Sequence, residues 1–162
     1  MIEKSLTDAL VLDWTTLQHT AYFAALYPAL LGASVIDWRS HQIPNSLVLF
    51  IALTGILYQS LDYGATGFVQ SLAGMAIGLC ALLPFYLMKG MAAGDVKLMA
   101  AVGAWLPLLT LSSAVLLTLI AGGVMGLVFT KHIRWRAQHT GVPYAGAIAT
   151  GTILSTLTPT FL

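Results

Sequence analysis

Charged side chains are scarce in this sequence. Of its 162 residues only 8% are Asp, Glu, Lys or Arg, whereas 58% are hydrophobic. An ordinary soluble domain is about one quarter charged. We therefore predict an all-α polytopic membrane protein, a bundle of about six transmembrane helices of roughly 20 residues each. The length leaves no room for a separate soluble domain.

Cysteine and basic clusters are also lacking. Cys80 is the only cysteine, which excludes an intrachain disulfide and any zinc site built from several cysteines. His41 could share a helical face with Asp37, but no third ligand is nearby, so we expect no metal and no other cofactor. The net charge is +1, and the few Lys and Arg are spread over short loops, so nucleic acid is not an expected partner.

The start of the chain lacks the basic region of a cleavable signal peptide. Acidic residues predominate over lysine in residues 1–17, which contain Glu3, Lys4, Asp8 and Asp13. We expect this segment to be amphipathic and to lie on the membrane surface. The first apolar run that follows is then a helix that stays in the mature protein and is not cleaved off. Residues 18–162 form the membrane domain.

Apolar runs and turn residues divide the membrane domain into six predicted helices. Their approximate bounds are 20–37, 45–61, 67–88, 95–106, 110–130 and 143 to the C-terminus. Pro44 and Pro143 suit helix starts, and Pro107 separates the fourth helix from the fifth. Glycine pairs at small-xxx-small spacing, Gly74–Gly78 and Gly122–Gly126, predict close helix packing.

The fourth predicted helix is unusually short. About 12 residues extend only about 18 Å, whereas the hydrocarbon core of a bilayer is about 30 Å thick. If the far end of this helix reaches the opposite membrane surface, Asp95 at its start lies below the near surface.

The distribution of basic residues predicts the orientation. With six spans, the first, third and fifth loops and their flanks share one side and contain every Lys and Arg except Lys4. By the positive-inside rule these loops face the cytoplasm, and both termini lie outside. Asp37 and Asp95 then lie on the same, cytoplasmic side.

Two aspartates stand next to long apolar runs. Asp37 ends the first run and Asp95 begins the fourth predicted helix, where an ionised carboxylate costs several kcal/mol unless it is compensated. Two carboxylates on separate helices, without a metal-ligand cluster, indicate an aspartyl peptidase, in which one takes a proton from water and the other polarises the scissile carbonyl. The dipoles of their own helices suggest that Asp95 is the base and Asp37 the acid.

Three ordered motifs make the chain resemble the type IV prepilin peptidases. They are Asp37-x-Arg39-x4-Pro44-Asn45, Ala93-Gly94-Asp95-Val96-Lys97-Leu98 and Val142-Pro143-Tyr144-Ala145-Gly146. The resemblance implies a bundle of membrane helices in the bacterial cytoplasmic membrane. It also implies cleavage of the basic leader of prepilins and pseudopilins at the cytoplasmic face, with Asp37 and Asp95 as the catalytic pair. The short length resembles the form associated with tight-adherence (Flp-type) pili, without an N-terminal methyltransferase domain.

Other motif residues are candidates for supporting roles. Gly94 belongs to the family's Gly-x-Gly-Asp motif. Lys97 or Arg39 could lower the pKa of one of the two aspartates or contact an acidic group of the substrate. Both cations could equally be anchors at the membrane surface. Ala92 replaces the first motif glycine; if that position requires a positive φ, alanine costs roughly 1 kcal/mol or more there.

Other functions are open at this point. A small transporter or proton channel could use Asp37 and Asp95 as a relay, although a relay is expected to place ionisable residues at several depths. A non-catalytic assembly subunit of a secretion apparatus would tolerate the loss of both. Taken singly, Asp95 could be only a helix N-cap, and Asp37 only an interfacial residue paired with Arg39 or Lys97.

Overall fold

The computed structural model describes residues 20, 22–40, 42–133 and 144–157. One turn of π-helix, Tyr22–Leu26, leads directly into the first α-helix. The α-helices are α1 (Tyr27–Ser40), α2 (Asn45–Leu87), α3 (Ala93–Gly103), α4 (Leu108–Ile133) and α5 (Ala145–Leu157). The all-helical prediction is confirmed for these residues. The predicted segment 1–17, His41 and Pro143 lie outside the described residues.

The helix α2 consists of two limbs that meet at Gly64. This residue has φ 61° and ψ −138°, a backbone conformation that glycine adopts far more readily than other residues. Gly67 packs against the backbone carbonyl of Gln59, whereas eight residues of straight helix would separate them by about 12 Å. The chain therefore reverses at Gly64, and the second and third predicted helices correspond to the limbs 45–63 and 65–87.

The short helix α3 packs along the second limb of α2. It has 11 residues and ends before Pro107, as the sequence predicts. Gly74 lies against the backbone of Gly103, and a Cβ added at Gly78 would lie 2.6 Å from the carbonyl oxygen of Met99. The first predicted glycine pair is therefore confirmed as a surface for close helix packing. Most side chains of α3 are buried.

Helices α1 and α4 both pack against α5. Gly151 of α5 lies against Thr118 of α4. The hydroxyl groups of Tyr27 and Thr156, in α1 and α5, are 2.6 Å apart and share a hydrogen bond. These contacts join α1, α4 and α5 around a core of side chains that are fully buried, among them Leu30, Leu98, Met99, Leu111 and Ile148.

Two helices are long and apolar enough to cross a membrane, namely α2 and the stretch Leu108–Leu127 of α4. Their outer faces expose many large apolar side chains, including Leu53, Leu57, Leu72, Leu116, Ile120 and Val124. Such extended apolar exposure suits contact with lipid. The number of six membrane crossings stays a prediction.

Candidate active site

Helix ends from distant parts of the chain meet at the candidate site. Asp37 lies in the last turn of α1 and Asp95 in the first turn of α3. Both line one cavity of about 270 Å³, although both side chains are nearly inaccessible, at 6% and 2% exposed. The structure thus brings together the two aspartates that the sequence singled out.

The remaining lining comes from the connection between α1 and α2 and from the starts of α2 and α3. The residues are Gln42, Ile43, Asn45, Ala92, Gly94 and Lys97. In the sequence, Asn45 was named only as part of the first motif, and Gln42 and Ile43 were not considered as site residues. Their position within the first motif, a few residues after Asp37, was the signal that could have identified them.

The two carboxylate oxygens of Asp95 have different surroundings. Its Oδ2 accepts a hydrogen bond from the backbone N–H of Ala92 at 3.2 Å, which closes the first turn of α3 in the way a helix cap does. Its Oδ1 is buried, and within the described part of the chain it has no hydrogen-bond partner. Asp95 therefore caps the helix with Oδ2, and its Oδ1 can bind another group.

The environment of Asp95 favours its protonated form. The residue lies outside both helices that are long and apolar enough to cross a membrane. Burial and, secondly, the negative charge of Asp37 raise the pKa of the Asp95 carboxyl to about 7, and the Ala92 N–H partly opposes the rise. A carboxyl group with such a pKa can donate a proton near neutral pH, as a catalytic acid must.

Asp37 is held by the start of another helix. Its Oδ2 accepts a hydrogen bond from the N–H of Ala145 at 3.2 Å, although the two residues are 108 positions apart in the chain. Ala145 is the first residue of α5, and the first N–H groups of a helix lack intrahelical acceptors and stabilise negative charge. The dipoles of the helices that carry the two aspartates suggested Asp95 as the base. With α5 included, both carboxyls accept an N–H at a helix start, so helix dipoles do not decide between them.

The three supporting candidates occupy different positions. Lys97 lies at the exposed rim of the cavity, where its Nζ donates a hydrogen bond to Asn45 Oδ1 at 3.2 Å and so connects α3 to the start of α2. Gly94 lines the cavity. Arg39 is exposed at the end of α1 and does not belong to the lining. Catalytic or binding roles for these residues stay predictions.

Ala92 occupies its position without strain. Its φ of −80° and ψ of 153° are extended values that any residue adopts. The condition of a positive φ is therefore not met at this position, and the cost that would follow from it does not arise. The positive φ in this connection belongs instead to Lys89, at 58°, just after the end of α2, where glycine is the commonest residue.

Known proteins match most of the chain. The sequence profile of the type IV leader peptidase family matches residues 24–129. A prepilin leader peptidase/N-methyltransferase of Burkholderia pseudomallei strain K96243 is 33% identical over 78% of this chain and 42% of its own length. Proteins of the same name from Legionella pneumophila and Stutzerimonas stutzeri are 34% and 32% identical, over 71% and 70% of this chain. The chain spans less than half the length of these relatives. No solved structure matches it significantly.

Proposed function

The chain belongs to the type IV leader peptidase family, and we propose that it is an aspartyl endopeptidase of the membrane that removes the basic leader from prepilins and pseudopilins. The observation that carries this proposal is the burial of Asp37 and Asp95, from separate helices, at one cavity. The substrate class follows from the names of the relatives, which are prepilin leader peptidases.

In the proposed reaction Asp95 is the acid and Asp37 the base. Asp37 takes a proton from water, whose oxygen attacks the scissile carbonyl carbon, while protonated Asp95 donates a hydrogen bond to the carbonyl oxygen. The C–N bond then breaks, and the leaving amine takes the proton held by Asp37. Two observations support this assignment, which reverses the one suggested by helix dipoles. Oδ1 of Asp95 has no hydrogen-bond partner in the described ranges, and the pKa of its carboxyl is raised.

The membrane restricts which peptide bonds can be cut. Backbone N–H and C=O groups without partners are expensive in hydrocarbon, so a substrate helix must unwind before its scissile bond can enter the cavity. Cleavage next to a residue that breaks helices, such as glycine, is therefore favoured.

We place the protein in the bacterial cytoplasmic membrane as a multi-pass protein, with the cavity facing the cytoplasm and both termini outside. Two helices of sufficient length and apolarity support membrane insertion. The orientation follows from the bias of Lys and Arg toward the loops that adjoin Asp37 and Asp95, because basic loops stay in the cytoplasm.

A proton relay is supported less well by the same residues. A relay needs ionisable groups at successive depths, whereas Asp37 and Asp95 line a single cavity. The third acidic residue within the described ranges is Asp62, which is exposed at the reversal of α2. It does not extend a path from the cavity.

Co-expression with a prepilin encoded beside this protein tests the proposed function. We expect Asp37→Asn and Asp95→Asn each to lower the rate of leader removal by on the order of 10²- to 10⁴-fold, the range for loss of an acid or base catalyst. The matched control is Asp62→Asn, the same substitution outside the cavity, which should process like wild type. Prepilin size and the amount of enzyme in membranes are followed on immunoblots. Processing at the wild-type rate in both cavity variants would contradict the proposal.

A further inference from the structure

The first residue of α5 is held on two sides by α1. The N–H of Ala145 donates to Asp37 Oδ2, and its carbonyl oxygen accepts a hydrogen bond from Ser34 Oγ at 3.2 Å. Ser34 and Asp37 lie three residues apart and hence on the same face of α1. The start of α5 therefore holds one oxygen of the Asp37 carboxylate.

The residue before Ala145 attaches the start of α5 to α4. The ring of Tyr144 covers Gly122 so closely that a Cβ added there would lie 2.5 Å from Cε1 and 2.9 Å from Cδ1. About one turn along α4, a Cβ added at Gly126 would lie 3.8 Å from the Tyr144 hydroxyl. The second predicted glycine pair thus forms a groove that holds this ring.

We propose that Tyr144, lying on Gly122, is a positioning residue that holds the start of α5 where the Ala145 N–H orients the Asp37 carboxylate. This inference rests on the proposed function, because it concerns the geometry of the proposed base. It gives the third sequence motif a role in the reaction, although Tyr144 itself does not line the cavity.

The substitution Gly122→Ala tests the inference by displacing the ring. Its matched control is Gly123→Ala on the same turn of α4. A Cβ added at Gly123 meets no atom of the described residues within 4 Å, and the gain in helix propensity is the same. In a cleavage assay with purified proteins, kcat of Gly122→Ala should fall roughly tenfold, the effect of losing one hydrogen bond to a charged group. KM should stay near the wild-type value, and Gly123→Ala should cleave like wild type.

Variants of Tyr144 test the same contact without introducing a steric clash. Tyr144→Ala removes the ring and should lower kcat as much as Gly122→Ala does. Tyr144→Phe keeps the ring on Gly122 and should restore most of kcat. A residue needed only for folding would instead change the amount of protein in membranes, which is measured in parallel.

The inference is overturned if Gly122→Ala keeps the wild-type kcat, if Gly123→Ala loses as much, or if Tyr144→Phe is as impaired as Tyr144→Ala. Failure of the proposed function gives a different pattern, in which Asp37→Asn cleaves as fast as wild type. An inactive Asp37→Asn together with an unimpaired Gly122→Ala refutes the positioning role alone.

Discussion

Asp95 is a buried carboxyl in the first turn of a helix. One of its oxygens is bound to a backbone N–H, and the other has no hydrogen-bond partner among the residues that the structure describes. Asp37, by contrast, is bound to an N–H from a helix start more than 100 residues away in the chain. Different surroundings would let these two carboxyls serve as acid and base in the proposed reaction, since the environment decides which one keeps the proton.

The raised pKa of Asp95 predicts how cleavage depends on pH. Because that pKa is about 7, Asp95 keeps its proton below this value and loses it above. Activity that requires the protonated form should therefore fall as the pH rises through about 7. Initial cleavage rates measured across this range, with enzyme stability checked at each pH, report the effect. A rate that keeps rising above pH 7 would contradict the acid role.

Infrared difference spectra assign the proton directly. Below pH 7, the band of the protonated carboxyl should disappear in Asp95→Asn and persist in Asp37→Asn, where its titration shifts to lower pH because the charge of Asp37 is gone. Because the two groups titrate as a pair, each variant is compared with wild type at the same pH. Loss of the band in Asp37→Asn alone would restore the assignment made from helix dipoles.

Among the helices, α3 is notable because its C-terminal end is buried inside the protein. The last carbonyl groups of a helix need donors from elsewhere. Ser71 Oγ donates to the carbonyl oxygen of Ala104 at 3.0 Å, and Gln59 Nε2 donates to that of Trp105 at 3.1 Å. Both donors are buried on α2. They fix the far end of α3 and, through it, the position of Asp95 at the near end.

Ser71→Ala should destabilise the protein by roughly 1–3 kcal/mol, because a buried carbonyl group loses its donor. The control is Ser112→Ala, in which an exposed hydroxyl loses only a bond to Leu109 of its own helix, and which should stay within about 0.5 kcal/mol of wild type. Unfolding in detergent, followed by temperature or denaturant, measures both. Equal effects of the two substitutions would show that this bond does not anchor α3.

For the whole molecule, the two ends of the second limb of α2 should lie on opposite sides of the membrane. Residues 65–87 extend about 34 Å as a helix, close to the thickness of the hydrocarbon core. The native thiol is first removed by Cys80→Ser. A thiol reagent that cannot cross the membrane is then added outside cells. It should label the variant Asp62→Cys and leave the variant Lys89→Cys unlabelled. Both positions are exposed. Labelling of Lys89→Cys alone would place the cavity on the outer side.

Much of this arrangement could be predicted from local sequence. The approximate helix bounds, the break between the second and third predicted helices, the short α3 and the first glycine pair all follow from apolar runs, prolines and glycine spacing, which act within a few residues. The contact of Asp37 with Ala145 and that of Lys97 with Asn45 could not be predicted in this way. They join residues 108 and 52 positions apart, and such contacts depend on how whole helices pack.

The most direct measurement is the mass spectrum of a prepilin incubated with the purified protein. With wild type we predict two products, the basic leader and the mature chain, whose masses add up to the precursor plus one water. With Asp37→Asn or Asp95→Asn we predict only intact precursor. Cleavage at the same bond by both variants would show that hydrolysis does not use these two carboxyls.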